Sequence, residues 1–393
     1  MPLTSKQQKQ ETELDKRFAN CQPISELLVE RGITTIDAAE RFFHPSLGAM
    51  HDPFLLDGMA AAVDCINSVM GRKEKIRVFG DYDVDGTTAV ALVYKYLSNF
   101  YSNIDYYIPT RYDEGYGVSI QAIDAAAESG VKLIIILDCG VKAVDEIAYA
   151  KSKGIDFIIC DHHMADDRLP EAVAILNPKL EGSGYPFPHL SGCGVGFKLM
   201  QAFALSNGLD TTDLYSLLDL VAVSIAADIV PMVGENRILA YHGLRRINSN
   251  PNMGLRGIIR ICGLTGREIT VSDLIFKIGP RINASGRMQS GREAVELLVS
   301  RDSADALDRA KAIDQYNQDR KELDKRITEE ANALLEGHSE DLASQKSIVI
   351  YNKDWHKGII GIVAPDRTVL QAGRSAYICQ RTRYRLVTLG AGF

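Results

Sequence analysis

The sequence predicts an α/β protein: a parallel sheet with helices on both faces, then a long connecting helix and the start of a second α/β unit. Two observations carry this. From Ile76 onward, short apolar runs of strand length alternate with amphipathic segments of helix length. Three of those apolar runs end in aspartate or histidine, as strands do when their carboxyl ends build one site. With 393 residues, 46% hydrophobic and 24% charged, the chain has an ordinary globular composition and room for more than one core.

Residues 1–70 read as a helical segment, closing with MAAAVDCINSVM, whose apolar spacing suits a helix packed on the domain that follows. IRVFG is then a strand, TTAVALVYKYLSNF a helix, IDYYIP a strand and SIQAIDAAAESG a helix stopped by glycine. KLIIILDCG, DFIICDHH and AVAILNP are further strands, with KAVDEIAYAKSKG a helix between the first two. Strands that are apolar throughout belong to a parallel sheet covered on both faces. The stretch 195–250 turns helical, so the first α/β domain is expected over 71–300. Residues 301–336 contain neither proline nor internal glycine and predict one long exposed helix, a connector over 301–338. SIVIYN and WHKGIIGIVA open a second, incomplete unit over 339–393.

No run approaches the length of a membrane span and the start lacks an apolar signal core, so a cytoplasmic location is expected. The seven cysteines are scattered singly, which excludes a disulfide framework or zinc knuckle; Cys139 and Cys160 read as small buried thiols. A net charge of −7 argues against a basic coat but leaves room for a narrow basic channel.

The chemistry-bearing motifs are GDYDVDG (80–86), Asp138 in LDCG, Asp161-His162-His163 in CDHH, and Asp228 in AADIVPM. Asp81, Asp83 and Asp85 could form a turn that caps the next helix. Three acidic motifs at successive strand ends predict instead a single cluster, and carboxylates so crowded need a cation. Oxygen ligands with imidazoles suit Mg²⁺ or Mn²⁺, the histidines favouring Mn²⁺, and the missing thiolates disfavour zinc. Four or more carboxylates exceed the needs of one ion; two ions roughly 3.5–4 Å apart fit hydrolysis at phosphorus.

GDYDVDGTTA, IPTRYDEGYG, LDCG, CDHH, LSGCGVGFK, AADIVPMVGENR, GPRINASGRM and WHKGIIGIVA occur in the order found in RecJ-type exonucleases of the DHH phosphoesterase family, which the chain resembles from about residue 20 to Ala364. The resemblance implies a DHH domain and a DHH-associated domain joined by a long helix. It implies 5′→3′ digestion of single-stranded DNA in repair and recombination by metal-assisted hydrolysis. A single-strand binding protein and a RecQ-type helicase are the implied partners, and a monomer the implied state. Matched position by position, Asp83, Asp85, Asp138, His162 and Asp228 are the implied metal ligands, with Asp138 bridging two Mn²⁺ or Mg²⁺ ions. His163 is the implied contact to the scissile phosphate, Asp161 a support orienting the histidines and Asp81 a further catalytic carboxylate. Phe79 stands where DHH proteins often carry histidine, which predicts weaker binding of one ion.

GPRINASGRM is glycine-rich and carries Arg281 and Arg287, which suits either a phosphate-holding segment or an ordinary loop before a helix. Its similarity to the family's phosphate-holding PRxNAxGR segment implies the former, using Arg281, Asn283, Ser285 and Arg287. Arg111 is a second candidate for the strand backbone. His356 is a candidate contact beside Trp355, a residue more often found in a core. SGCGVGFK could bring a helix N-terminus near phosphate or simply pack tightly.

The resemblance stops after Ala364, short of the expected Gly-Gly-His motif and β-barrel, and PDRTVLQAGRSAYICQRTRYRLVTLGAGF shows no clear periodicity. Pro365–Ser375 has a possible coding sequence that, read one base later, gives LTERYYRPVVL, a segment of the expected kind. Residues 365–393 are therefore expected to be out of frame, and a chain ending there to be a weak or inactive nuclease. Rival readings are a DHH phosphodiesterase of short oligonucleotides or cyclic dinucleotides, and a non-catalytic DHH scaffold.

Overall fold

The computed structural model describes residues 11, 14–15, 21–336, 347–370, 375–382 and 385–390. Helices α1 (Gln22–Glu30), α2 (Ile36–Phe43) and α3 (Met59–Gly71) open the described chain. In α3 the apolar spacing works as expected: Met59, Ala62, Val63, Ile66 and Val69 are buried in the core that also holds the sheet.

The sheet comprises β1 (Lys75–Gly80), β2 (Ile104–Tyr107), β3 (Val131–Leu137), β4 (Asp156–Cys160) and β5 (Ala174–Leu176), all parallel, in the order β2-β1-β3-β4-β5. Helices α4 (Val84–Leu97), α5 (Ile120–Glu128) and α6 (Val144–Ser152) are its crossovers. Because side chains alternate along a strand, one apolar run feeds two cores. Leu133, Ile135 and Leu137 join the main core with α3 and α4, while Ile134 and Ile136 join a second core with α5 and α6. Phe79 belongs to that second core, its ring 5.7 Å from Tyr107 and stacked on it.

The strand order reverses between β1 and β3, and a doubly wound sheet opens a crevice there, beyond the carboxyl ends of its strands. Asp81, Asp83 and Asp85 follow β1, and Asp138 follows β3. Helices α7 (Gly192–Ser206) and α8 (Leu218–Ala227) border the crevice, and α9 (Gly234–Ser249) packs on α8. Then come α10 (Met253–Ile261), a π-helical turn over Leu274–Ile278, α11 (Gly279–Met288) and α12 (Gly291–Val299).

The connector α13 (Ser303–Glu336) differs from its expectation. It is not exposed all round: Ala306, Ala310, Ile313, Asn317, Ile327 and Ala331 are buried, a stripe at helical spacing. The small alanines let α10 and α11 approach, so this helix is part of the packing as well as a link. Beyond it, β6 (Ser347–Tyr351), α14 (Lys357–Leu370), β7 (Ser375–Thr382) and β8 (Arg385–Gly390) form the second unit, with β6 and β7 parallel and β7 and β8 antiparallel. The segment after Ala364 thus carries a helix end and two strands where the sequence showed no periodicity. Trp355 is core, as a lone tryptophan usually is: it is buried and its indole N–H donates to Glu330 Oε2 at 2.6 Å.

Candidate metal centre

The turn after β1 does two jobs. Asp83 caps α4, its Oδ1 accepting from the Gly86 N–H at 3.0 Å, so the helix-capping alternative is real. Burial, reinforced by Asp85, raises the same carboxyl, as expected of crowded carboxylates with no cation among them. Asp85, in the first turn of α4, is buried. Its two oxygens accept from the Gly192 and Cys193 N–H groups, both at 2.7 Å, and Oδ1 also accepts from Ser224 Oγ at 2.7 Å. The N-terminus of α7 is therefore spent on Asp85, and of the two readings of SGCGVGFK the structure shows the tight packing, with Gly192 against Asp138 and Gly196 against Leu137.

Asp138 ends β3 with φ +60, a left-handed conformation rare outside glycine though tolerated by aspartate. Gly192 allows this turn to lie against α7, since a Cβ there would stand 2.6 Å from the Asp138 Cβ. Asp161 is buried after β4 and accepts from the N–H groups of His162 (2.7 Å), His163 (3.0 Å) and Val141 (2.9 Å), and lies 2.8 Å from His163 Nδ1. It fixes the backbone of both histidines but the ring of His163 alone, leaving that ring's Nε2 facing outward.

His162 Nε2 lies 3.0 Å from Asp138 Oδ1 and 3.7 Å from both Asp85 Oδ2 and Asp228 Oδ2. None of these contacts is aligned as a hydrogen bond, and Asp138 Oδ1 and both His162 ring nitrogens are buried without a partner. Such groups cost free energy unless something completes them. Ligand atoms of Asp138, His162 and His163 lie within 4.8 Å of one another, as do those of Asp85, His162 and Asp228.

Electrostatics agree with this geometry. Burial, reinforced by Asp85 and Asp83, pushes Asp138 well above the usual carboxylate range. Burial and Asp85 raise Asp228 to about 7, and burial and Asp83 raise Asp81 to about 7. Burial lowers His162, keeping it neutral and able to ligate, whereas the Asp161 hydrogen bond raises His163. Asp161 stays low despite burial because His163 and the Val141 N–H hold its charge. Burial drives the Cys139 and Cys193 thiols well up, so neither offers a thiolate. A convergence of carboxylate oxygens and imidazole nitrogens with unsatisfied buried atoms fits divalent cations of the Mn²⁺ or Mg²⁺ kind.

The residues expected to bind substrate divide into two sets. Arg111 lies over the Tyr82 ring at 4.1 Å with its Nε buried and unpaired. Arg287 donates to the Gly358 carbonyl at 3.1 Å, while its own carbonyl accepts from the Tyr112 hydroxyl, which lies 3.3 Å from His356 Nε2. Arg111, Arg287 and His356 therefore gather where α11 meets the start of α14. The other set is committed to packing. Arg281 pairs with Asp314 at 2.7 Å and donates to the Lys277 carbonyl at 2.8 Å. The Asn283 side chain accepts from the Val84 N–H at 3.0 Å, and Ser285, fully buried, donates to the Ile282 carbonyl at 2.7 Å. GPRINASGRM is helix α11 rather than a loop, and its last turn carries Arg287 to the set beside Arg111 and His356. Its Gly286 lies so close to the Tyr82 backbone that a Cβ would collide. Sequence reasoning also missed Ser224, whose position one helical turn before Asp228 on α8 was a usable signal, and Tyr116, whose hydroxyl donates to the Asp138 carbonyl at 3.3 Å.

Residues 75–225, the sheet with the helices that close it, match the N-terminal domain of the DHH family. Over these residues the chain is a DHH-family domain. It is 40% identical to the single-stranded-DNA-specific exonuclease RecJ of Bacillus subtilis over 341 residues, 87% of this chain and 42% of that protein. It is 35% identical to RecJ of Escherichia coli over 351 residues, 86% of this chain and 60% of that one. Among solved structures, a RecJ bound to manganese aligns with TM-score 0.73 and 29% identity, covering 83% of this chain and 80% of that one. RecJ of Thermus thermophilus with Mn²⁺ aligns with TM-score 0.78 and 25% identity, over 95% of this chain and 52% of that one. The chain thus spans roughly half the length of the curated relatives it matches.

Proposed function

We propose that this chain is a metal-dependent exonuclease that digests single-stranded DNA from the 5′ end, in DNA repair and recombination. The observation that carries the reading is the set of buried, unpartnered ligand atoms of Asp138 and His162 converging with Asp85 and Asp228 at the sheet's switch point. The likeness to RecJ proteins, including structures holding Mn²⁺ or Mg²⁺, supports it. In this reading Asp83, Asp85, Asp138, His162 and Asp228 hold two such ions. When bound, the ions supply positive charge at the scissile phosphate and favour attack by water at phosphorus.

The chain's own groups do the rest. His163, with Nδ1 tied to Asp161 and its protonated form stabilised, donates from Nε2 to a phosphate oxygen. Arg111 and Arg287 hold neighbouring phosphates, Arg111 through its unpaired Nε, with His356 beside them. Asp81, buried and facing the charges of Arg111 and His163, keeps those cations in place. On the same reading the chain acts in the cytoplasm as a monomer, with a single-strand binding protein and a RecQ-type helicase as partners. No single helix among the described residues is long and apolar enough to cross a membrane.

The test is digestion of a 5′-labelled single strand by this chain in Mn²⁺, in Mg²⁺ and in EDTA, beside duplex and dinucleotide substrates. Mononucleotide release from the long single strand, abolished by EDTA, is the expected result. Activity confined to dinucleotides, or indifferent to EDTA, defeats the proposal.

A further inference from the structure

Two residues of the metal centre are each followed by a large apolar side chain standing in solvent. Ile229 follows Asp228 and is 79% exposed; Met164 follows His163 and is 66% exposed. Among the described residues Ile229 is the most exposed of the large apolar side chains. It is also strained: α8 ends at Ala227, Asp228 is its C-cap, and Ile229 takes φ +57. Helices often end on a left-handed residue, and glycine usually fills it, because a β-branched side chain there crowds the backbone. Isoleucine at this position carries two costs, strain and exposed apolar surface, and glycine would remove both while keeping the turn that presents Asp228.

We propose that Ile229 is a base-contact residue: its side chain packs against a nucleobase of the strand whose phosphate lies at the centre, so the site favours nucleotides that carry a base. The inference rests on the nuclease reading and names how that site grips its substrate. The sugar and phosphate of a strand are polar or charged, and the face of the base is the apolar surface it offers. Met164, on a separate segment, follows His163 as Ile229 follows Asp228, and is likewise exposed.

Glycine and asparagine both accept the left-handed conformation, so Ile229→Gly and Ile229→Asn remove the apolar side chain and preserve the backbone that holds Asp228. KM for a single strand is expected to rise roughly tenfold in both variants, with a much smaller change in kcat, the scale of losing one buried aliphatic side chain. Strands carrying one abasic position, scanned along the 5′ region, separate a base contact from a structural effect. At one position the unsubstituted chain should lose a comparable factor in KM, and the variants should lose nothing further there. The melting temperature of Ile229→Gly should hold or rise. An unchanged KM in both variants, an abasic penalty that persists in them, or a fall in kcat with a fall in melting temperature overturns the assignment. If the unsubstituted chain digests no strand in Mn²⁺, the nuclease reading itself fails and takes this inference with it.

Discussion

The crevice at the sheet's switch point and helix α11 look alike in sequence, both being short, glycine-bearing and rich in polar residues, yet they treat those residues oppositely. In α11 the side chains of Arg281, Asn283 and Ser285 each have a partner inside the protein. In the crevice Asp138 Oδ1, Asp81 Oδ1 and both ring nitrogens of His162 are buried with none. A satisfied polar group stabilises a fold, whereas a buried unsatisfied one costs about 1–3 kcal/mol and persists where something external completes it. The difference separates structure from function within one motif set.

The strongest way to break the comparison is Asp138→Ala. If the crevice holds the reacting metals, cleavage should fall by roughly a thousandfold or more, while single-strand binding measured by fluorescence anisotropy remains detectable. The same change should raise the melting temperature in EDTA, because it removes a buried carboxyl raised by burial and its acidic neighbours. Near-normal cleavage would refute the assignment. Gly192→Ala should be next in size. Its Cβ would stand 2.6 Å from that of Asp138, so activity should drop on the order of a hundredfold, with metal affinity falling in parallel by calorimetric titration.

A third test uses pH. Asp81 and Asp228 are acids raised in the folded chain to about 7, Asp138 is raised by burial and its acidic neighbours well above the usual carboxylate range, and all lie near 4 when unfolded. The metal-free folded state therefore binds more protons than the unfolded chain between about pH 4 and 7. The stability these protons confer is present below pH 4 and is lost as pH rises through 7. In EDTA the melting temperature should fall by on the order of 5 °C between pH 5 and pH 8. Saturating Mn²⁺ should shrink or reverse the fall, since the cation replaces the protons. A drop of equal size with and without Mn²⁺ would remove the crevice carboxylates as its cause.

How much of this was legible follows the same line. The sheet was readable because its strands are buried on both faces, making runs such as KLIIIL unmistakable, and Asp138, Asp161 and His162 were readable because they end those runs. The left-handed turn at Asp138 was not, since it depends on Gly192 approaching from α7, more than fifty residues away. The helical form of GPRINASGRM was hidden for a related reason. Glycines that admit a phosphate and glycines that admit a neighbouring backbone leave one composition, and only the position of Tyr82 tells them apart. The buried stripe of α13 escaped notice because half of it is alanine, which counts little as apolar signal but decides how closely helices pack.

The smallest expected effect is the one that tests α11 itself. Arg281 and Asp314 are both mostly buried, with side-chain exposures of 17% and 18%, and join α11 to α13. Arg281→Ala leaves Asp314 in the interface without its arginine and should cost about 1–3 kcal/mol of stability, seen as a lowered denaturation midpoint at unchanged slope. Asp314→Ala in the same background should recover part of that loss, because removing the second partner relieves the stranded charge. Kinetics decide the function. A packing arginine predicts KM for single strands within about threefold of the unsubstituted value, whereas a residue gripping phosphate would raise KM and flatten its salt dependence by about one counterion. A flattened salt slope in Arg281→Ala would return α11 to the substrate path and erase the contrast with the crevice.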